Sequence, residues 1–271
     1  MTNNYLNLIE NNHDSMYEAN GNNKPWVSYN KEDKNVYYNH SSEYIEIGGI
    51  KWATKCIGAS SPYSYDAWLF QWGDVVGHAE SSSAGTTSYN YSWANVPFND
   101  GNLSYSKTAW SNYSGTVLDN SGNLKLQYDA AAQLLTKPPL NGYSWRMPTH
   151  EEAASLIDYQ LSLTNTTVRG IDGIEITIGS DAGVGNVGNV IGCCFGKTTD
   201  STDNVLFIPR RGIAANTTLS LINAGAYMWT SSIISSDPQC GWAPYCYNAM
   251  GVDDSARLYG RCILPILVKD K

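Results

Sequence analysis

The side chains able to do chemistry are few, and their spacing does not assemble a catalytic site. The four histidines, His13, His40, His78 and His150, are far apart in the chain. None has Cys, Asp or Glu at the intervals of a metal site, and His150 falls in the first turn of an expected helix, where it is exposed. Each therefore reads as a structural residue. The six cysteines are Cys56, Cys193, Cys194, Cys240, Cys246 and Cys262. They contain no C-x-x-C pair that would signal zinc or redox chemistry and are too few for a disulfide scaffold at this length. The adjacent Cys193 and Cys194 read as packed thiols. Glu151 and Glu152 form an adjacent carboxylate pair. Thr149, three residues before Glu152, makes them the opening of a helix, and that role accounts for both. No G-x-S-x-G elbow or P-loop occurs. The glycine run at 183–188 is followed by neither a helix signal nor the acidic residue of a dinucleotide fold. The expectation is a protein without enzymatic activity, metal or cofactor.

What the chain is rich in suits binding instead. It has 19 Tyr and 9 Trp against 4 Phe. Tyr and Trp have an apolar body and a polar handle, and they supply contact area at low entropic cost. The net charge of −8, with only 15% charged residues, lacks the concentrated basic patch that a phosphate backbone requires. Nucleic acid is thus not an expected partner, and the charge keeps a Tyr-rich surface soluble. The first residues have neither the basic nor the apolar region of a secretory signal, and no run reaches the roughly eighteen apolar residues needed to span a bilayer. No membrane insertion is expected. Asn-x-Ser/Thr triplets at Asn90, Asn112 and Asn216 read as chance in so Asn- and Ser-rich a chain.

The elements that must position these residues begin with a polar segment, 1–43. There 24–29 and 35–38 read as two short strands around a charged turn, a leading hairpin for attachment or oligomerisation. From Tyr44 to Ala53 apolar and polar residues alternate around Gly48-Gly49, which predicts a tight hairpin. Residues 79–124 read as a long irregular insertion or functional loop, in which Trp93 and Trp110 need a surface to pack on. A short helix is expected at 127–135, ending before Pro138-Pro139. A longer one starts at the Thr149–Glu152 capping box and puts Ala153, Leu156, Ile157 and Leu161 on one face. Short strands follow at 174–178, 204–208, 227–232, 242–247 and 262–268, with the glycine run as a connection. Two helices among many short strands and long loops predict an α+β domain over 44–271 with antiparallel sheets.

Several short segments recur in a particular order. They are Gly49-Ile50-Lys51-Trp52-Ala53-Thr54-Lys55 with Gly58-Ala59-Ser60-Ser61-Pro62, then Phe70-Gln71-Trp72-Gly73-Asp74, then Trp145-Arg146-Met147-Pro148-Thr149 with Glu151-Glu152. Val205-Leu206-Phe207-Ile208-Pro209, Trp229-Thr230-Ser231-Ser232 and Arg257-Leu258-Tyr259-Gly260-Arg261 complete the series. Over 44–268 this order resembles the C-type-lectin-like domains of gut Bacteroidetes and their phages. Among these are the Fibrobacter-succinogenes-type paralogous domain and the variable proteins of diversity-generating retroelements. The resemblance implies a C-type-lectin-like fold with Trp52, Trp72, Trp145 and Trp229 as core anchors. Arg146 is expected to bridge carbonyls of a neighbouring irregular loop. Calcium is not implied, since Asp237-Pro238-Gln239 and Phe98-Asn99-Asp100 only approximate the oxygen-rich loops of calcium-dependent lectins.

In the retroelement family, diversified side chains share one solvent face near the C-terminus. Carried over, this implies a ligand-binding surface within about 210–261 made of Tyr227, Ile234, Ser236, Trp242, Ala243, Tyr245, Tyr247, Asn248, Asp253, Asp254, Ala256, Leu258 and Tyr259. Its partner would be a protein or glycan on a cell surface, met by a phage tail or fibre tip or by a bacterial surface protein, with a homo-oligomer as a further possibility. The chain departs from the family at Arg210-Arg211, expected to add two positive charges near the recognition face. It also departs at Ile263-Leu264-Pro265-Ile266, where relatives often carry an Arg. The alternatives are a static assembly domain, or an enzyme on the same fold resembling the formylglycine-generating enzymes. The enzyme would draw on Cys240, Cys246 and Cys262, where only Arg261 supplies a basic group.

Overall fold

The computed structural model describes residues 27–30, 35–38, 43–98, 114–196 and 205–270. His13, His40, Asn99, Asp100, Trp110 and Asn112 lie outside them, as do Lys24, Pro25 and Trp26 of the first expected strand. The chain divides into two compact units, Met1–Ser42 and Glu43–Lys271. In the first, β1 (Val27–Asn30) and β2 (Asn35–Tyr38) pair antiparallel, with Val27 opposite Tyr38.

The second unit mixes a few short helices with several antiparallel sheets, an α+β architecture. Its first sheet contains β3 (Tyr44–Ile47) and β4 (Ile50–Ala53), joined by Gly48 and Gly49 at φ +62° and +79°. Both residues take the positive φ that a two-residue hairpin turn demands, which side chains resist. The second sheet pairs β5 (Gly85–Tyr91) with β12 (Ile213–Ser220). Residues 79–124 are therefore not irregular throughout. The strand was hidden because its Ser-, Asn- and Thr-rich sequence carries little hydrophobic alternation, and its pairing partner lies over a hundred residues away.

The expected helix at 127–135 is broken in two. A 3₁₀ turn, Leu126–Tyr128, precedes α1 (Ala130–Leu134), with Asp129 as the N-cap between them. β6 (Tyr143–Arg146) follows and leads into α2 (His150–Ser155). The capping box forms as expected: Glu152 N–H donates to Thr149 Oγ1 and the Thr149 amide donates to Glu152. After Ser155 the helix tightens to 3₁₀ over Leu156–Tyr159. This change of period buries Ala153 and Leu156 but turns Ile157 outward, and Leu161 packs beyond the helix, not along its face. Arg146 does not bridge a neighbouring loop. It grips Glu152 through two nitrogens at 2.8 and 2.6 Å and touches the next carbonyl, that of Met147.

A five-stranded antiparallel sheet contains β7 (Thr166–Arg169), β8 (Glu175–Ile178), β9 (Val184–Val187), β10 (Val190–Phe195) and β11 (Leu206–Pro209), with each strand beside its neighbours in sequence. The glycine run read as a connection is thus a strand. Gly185 explains why: a Cβ there would lie 2.5 Å from Ile176 Cγ2 and 3.0 Å from Cys194 Sγ, so only glycine fits between those side chains. The last strands are β13 (Ala226–Tyr227), β14 (Cys240–Cys246), β15 (Met250–Ala256) and β16 (Ile266–Lys269). β13, β14 and β15 form a three-stranded sheet in that order. β16 inserts between β4 and β6, so the end of this unit pairs with its beginning.

Trp52, Trp72, Trp145 and Trp229 are all buried, and two indoles also pin the backbone. Trp72 Nε1 donates to the Thr230 carbonyl at 3.0 Å and Trp229 Nε1 to that of Phe70 at 2.8 Å. Cys193 is not a free thiol: it forms a disulfide with Cys246, joining β10 to the end of β14. Cys194, which points to the opposite side of β10, remains a buried thiol pushed up to about 12 by burial.

Candidate recognition surface

The register of β14 and β15 settles which side chains share a face. Trp242 lies opposite Asp254, Ala243 opposite Asp253, and Tyr245 opposite Gly251. Cross-strand partners project to the same side and successive residues alternate. One face therefore carries Trp242, Asp254 and Ala256, and the other Ala243, Tyr245 and Asp253, joined by Tyr227 from β13 opposite Tyr245. The expectation that these positions share one solvent face does not hold.

Burial removes two of them from the surface. Ala243 is 1% exposed, packed in the cluster of Phe70, Trp72 and Trp229, and Tyr227 is 6% exposed. On the other face Trp242 is half-buried because its indole stacks on His150 at the start of α2, centroids 4.1 Å apart. His150, expected to be exposed, is half-buried by the same stack.

At the turn between β14 and β15 the sequence-derived residues do converge. Tyr247 stands edge-on to Tyr227, with centroids 5.5 Å apart and their hydroxyls hydrogen-bonded. Tyr245 lies tilted to Tyr247 at 5.8 Å, its ring folded over Gly251, whose missing side chain makes the room. Tyr247 is 41% exposed, and Asn248 beside it is exposed. Asp253 and Asp254 are exposed on β15, the sheet's edge strand, where charge discourages pairing with another strand. At the far end of the hairpin, some 20 Å along a seven-residue strand, are Ile234, Ser236, Ala256 and Leu258. Ser236 is exposed, and Ile234, Ala256, Leu258 and Tyr259 are half-buried.

Three tethers that sequence reasoning missed hold the tyrosine turn. The Gln160 side-chain amide acts as a substitute peptide: Nε2 donates to the Asn248 carbonyl at 2.9 Å and Oε1 accepts from the Met250 amide at 2.6 Å. Arg210 Nη2 donates to the Tyr247 carbonyl. The Cys193–Cys246 disulfide fixes the residue just before Tyr247. None has a local sequence signal, since Gln160 and Cys193 lie far from the turn in the chain.

Buried guanidinium groups underlie the rest of the surface. Arg210 and Arg211 are buried and not displayed on it, although Arg210 reaches it from beneath through the Tyr247 carbonyl. Arg211 is 1% exposed and donates to the Ala67 and Glu80 carbonyls, both at 3.2 Å. Arg257 donates to the carbonyls of Pro238 and Pro97 at 2.8 and 3.2 Å. These two do what was expected of Arg146, holding irregular loops by their carbonyls. Arg261 donates to Ser255 Oγ and lies 4.9 Å from the Trp229 ring, 5.2 Å from Tyr227 and 5.9 Å from Tyr259. Burial lowers it to about 10, against the opposing pull of the tyrosines, so it stays charged at neutral pH.

Cys240, Cys246 and Cys262 are not brought together. Cys246 is bonded to Cys193, Cys240 sits near Asp237, and Cys262 faces Cys56. Asp237 turns the chain into β14, its carboxylate accepting from the Gln239 amide at 3.4 Å. Among the described residues no group of three or more His, Cys, Asp and Glu side chains could hold a metal ion. Among them, too, no helix is long and apolar enough to cross a membrane. No family model, curated protein or solved structure matches the chain.

Proposed function

We propose that the second unit is a non-enzymatic binding domain whose recognition surface is the β14–β15 turn and the edge of β15. The observation that carries this reading is the pair Tyr245 and Tyr247, backed by buried Tyr227 of β13, at a turn fixed by Gln160, Arg210 and a disulfide. Rigid tyrosines lose little entropy when a ligand docks, and a turn already held in place has little ordering left to undergo. Exposed Asn248 on the turn and exposed Asp253 on the face of Tyr245 supply polar contacts around an aromatic centre.

The ligand class is a protein or glycan on a cell surface, and the setting a phage tail or fibre tip or a bacterial surface protein. The scaffold is proposed to be C-type-lectin-like and the surface diversified by a retroelement. The buried tryptophans of the ordered segments and the pairing of β16 with β4 support the scaffold reading.

Labelled protein incubated with intact bacterial cells and a glycan array tests the binding reading: saturable binding is expected, and its absence from both panels overturns it. Diversification has its own test in the coding DNA. An adenine-rich template repeat matching the codons of Tyr245, Tyr247, Asn248, Asp253 and Asp254, beside a reverse transcriptase gene, is expected. A locus without such a repeat removes that part of the proposal and leaves a static binding domain.

A further inference from the structure

Arg211 carries a buried positive charge that no part of the proposed binding uses. It is 1% exposed and lines, with Lys55, Ser61, Ser64 and Tyr227, a cavity with room for one water-sized occupant. Cys56 and Cys262, also in the wall, are hydrogen-bonded to each other. Nε and Nη2 of Arg211 donate to the Ala67 and Glu80 carbonyls, but its buried Nη1 has no hydrogen-bond partner. Among the described residues no carboxylate forms an ion pair with it. The carboxylate of Glu80, whose carbonyl Arg211 holds, is taken by the Ser88 and Tyr89 amides and the Tyr91 hydroxyl. A guanidinium keeps its proton, so burial against neutral carbonyls leaves both a charge and the Nη1 donors unsatisfied.

We propose that this cavity is a binding site for a monatomic halide anion, with chloride as its ordinary occupant, held by Nη1 of Arg211. Size and charge together choose the ligand. The cavity is too small for phosphate, sulfate or an organic carboxylate, whereas chloride is comparable in bulk to a water molecule. A water there would accept a hydrogen bond and leave the charge unopposed, while a halide accepts the bond and opposes the charge. The rim contributes little net attraction. Lys55 brings a positive charge, its Nζ donating to the Ser60 carbonyl at 3.4 Å. Asp66 brings a negative one, accepting from the Ser60 amide at 3.1 Å and from the Ser64 hydroxyl. The pull on the anion therefore comes from Arg211.

Thermal unfolding of the full chain at constant ionic strength, with sodium chloride replacing sodium gluconate, tests the proposal. The melting temperature should rise by roughly 3–5 °C once chloride reaches about ten times its dissociation constant, because the ion binds only the folded protein. Sodium bromide should act as chloride does. The Arg211→Met variant should lose this response. Since that variant could fail to fold, crystals of the unchanged protein grown in bromide give an independent reading. An anomalous peak within about 3.5 Å of Arg211 Nη1 is expected. A melting temperature indifferent to halide overturns the proposal, as does an equal response in Arg211→Met or a water without anomalous signal at Nη1.

Discussion

Replacing Asp129 with alanine should destabilise the protein, and the loss should grow as the pH falls. Asp129 is 1% exposed, and its carboxylate serves two elements. Oδ1 accepts from the Ala131 and Ala132 amides at 2.9 and 3.1 Å, capping α1, and Oδ2 accepts from the Met147 amide at 2.8 Å. Losing the cap costs about 1 kcal/mol and stranding the buried Met147 amide a further 1–3 kcal/mol, roughly. Removing a buried charge offsets part of this, leaving about 1–3 kcal/mol near pH 7.

Burial raises the Asp129 carboxyl from 3.8 to about 6, despite the three amide donors and Arg146. Between these values the folded protein holds a proton that the unfolded chain has released. The residue's contribution to stability therefore falls as pH rises through that window and is constant above it, a span of at most about 3 kcal/mol. Alanine has no proton to bind, so the gap between wild type and Asp129→Ala should widen by roughly 1 kcal/mol from about pH 7 to about pH 5. Glu152, whose carboxyl Arg146 helps hold low, loses stability on acidification in both proteins and cancels in the difference. Urea denaturation of both proteins at the two pH values measures this as a shift in midpoint at constant slope. A gap that is unchanged or narrower at the lower pH would refute the reasoning, because the three amides would then be holding an ionised carboxylate more tightly than burial opposes it.

Replacing Cys246 with serine opens a loop of 53 residues and should cost about 4 kcal/mol in urea denaturation, with a matching loss when the wild type is reduced. Gly185→Val puts side-chain atoms against Ile176 and Cys194 and should cost about 1–3 kcal/mol by overpacking, read as a lower melting temperature. Gln160→Ala should leave global stability within about 2 kcal/mol. It should nevertheless speed hydrogen exchange at the Met250 amide at least tenfold, because that proton loses its acceptor.

The sequence made legible those elements whose signals are local. The Gly48-Gly49 hairpin, the Thr149–Glu152 capping box and the buried tryptophans need only neighbouring residues or a large apolar side chain, and all three form. What it concealed depends on distant partners. β5 and β9 are polar or glycine-rich and become strands through β12, β8 and β10. The tyrosine turn was visible in composition, but Gln160, Arg210 and Cys193, which fix it, are separated from it by tens of residues. Alternation alone could not show that Trp242 and Tyr245 face opposite ways, or that Ala243 and Tyr227 are buried, because both require the register of β13, β14 and β15. Arg146 and Arg211 show a related limit. The chemistry of a buried guanidinium was foreseeable, but which arginine would meet loop carbonyls and which a carboxylate was not.

The most direct test of the recognition surface is a comparison of affinities for the strongest cell or glycan target. The proteins compared would be the wild type, Tyr245→Ala with Tyr247→Ala, and a control changed at exposed Thr217 and Thr218 on β12. The account predicts at least a tenfold weakening for the tyrosine pair, with melting temperature within a few degrees of wild type, and no change for the control. Equal binding by the wild type and the tyrosine variant, or a loss confined to the control, would contradict it.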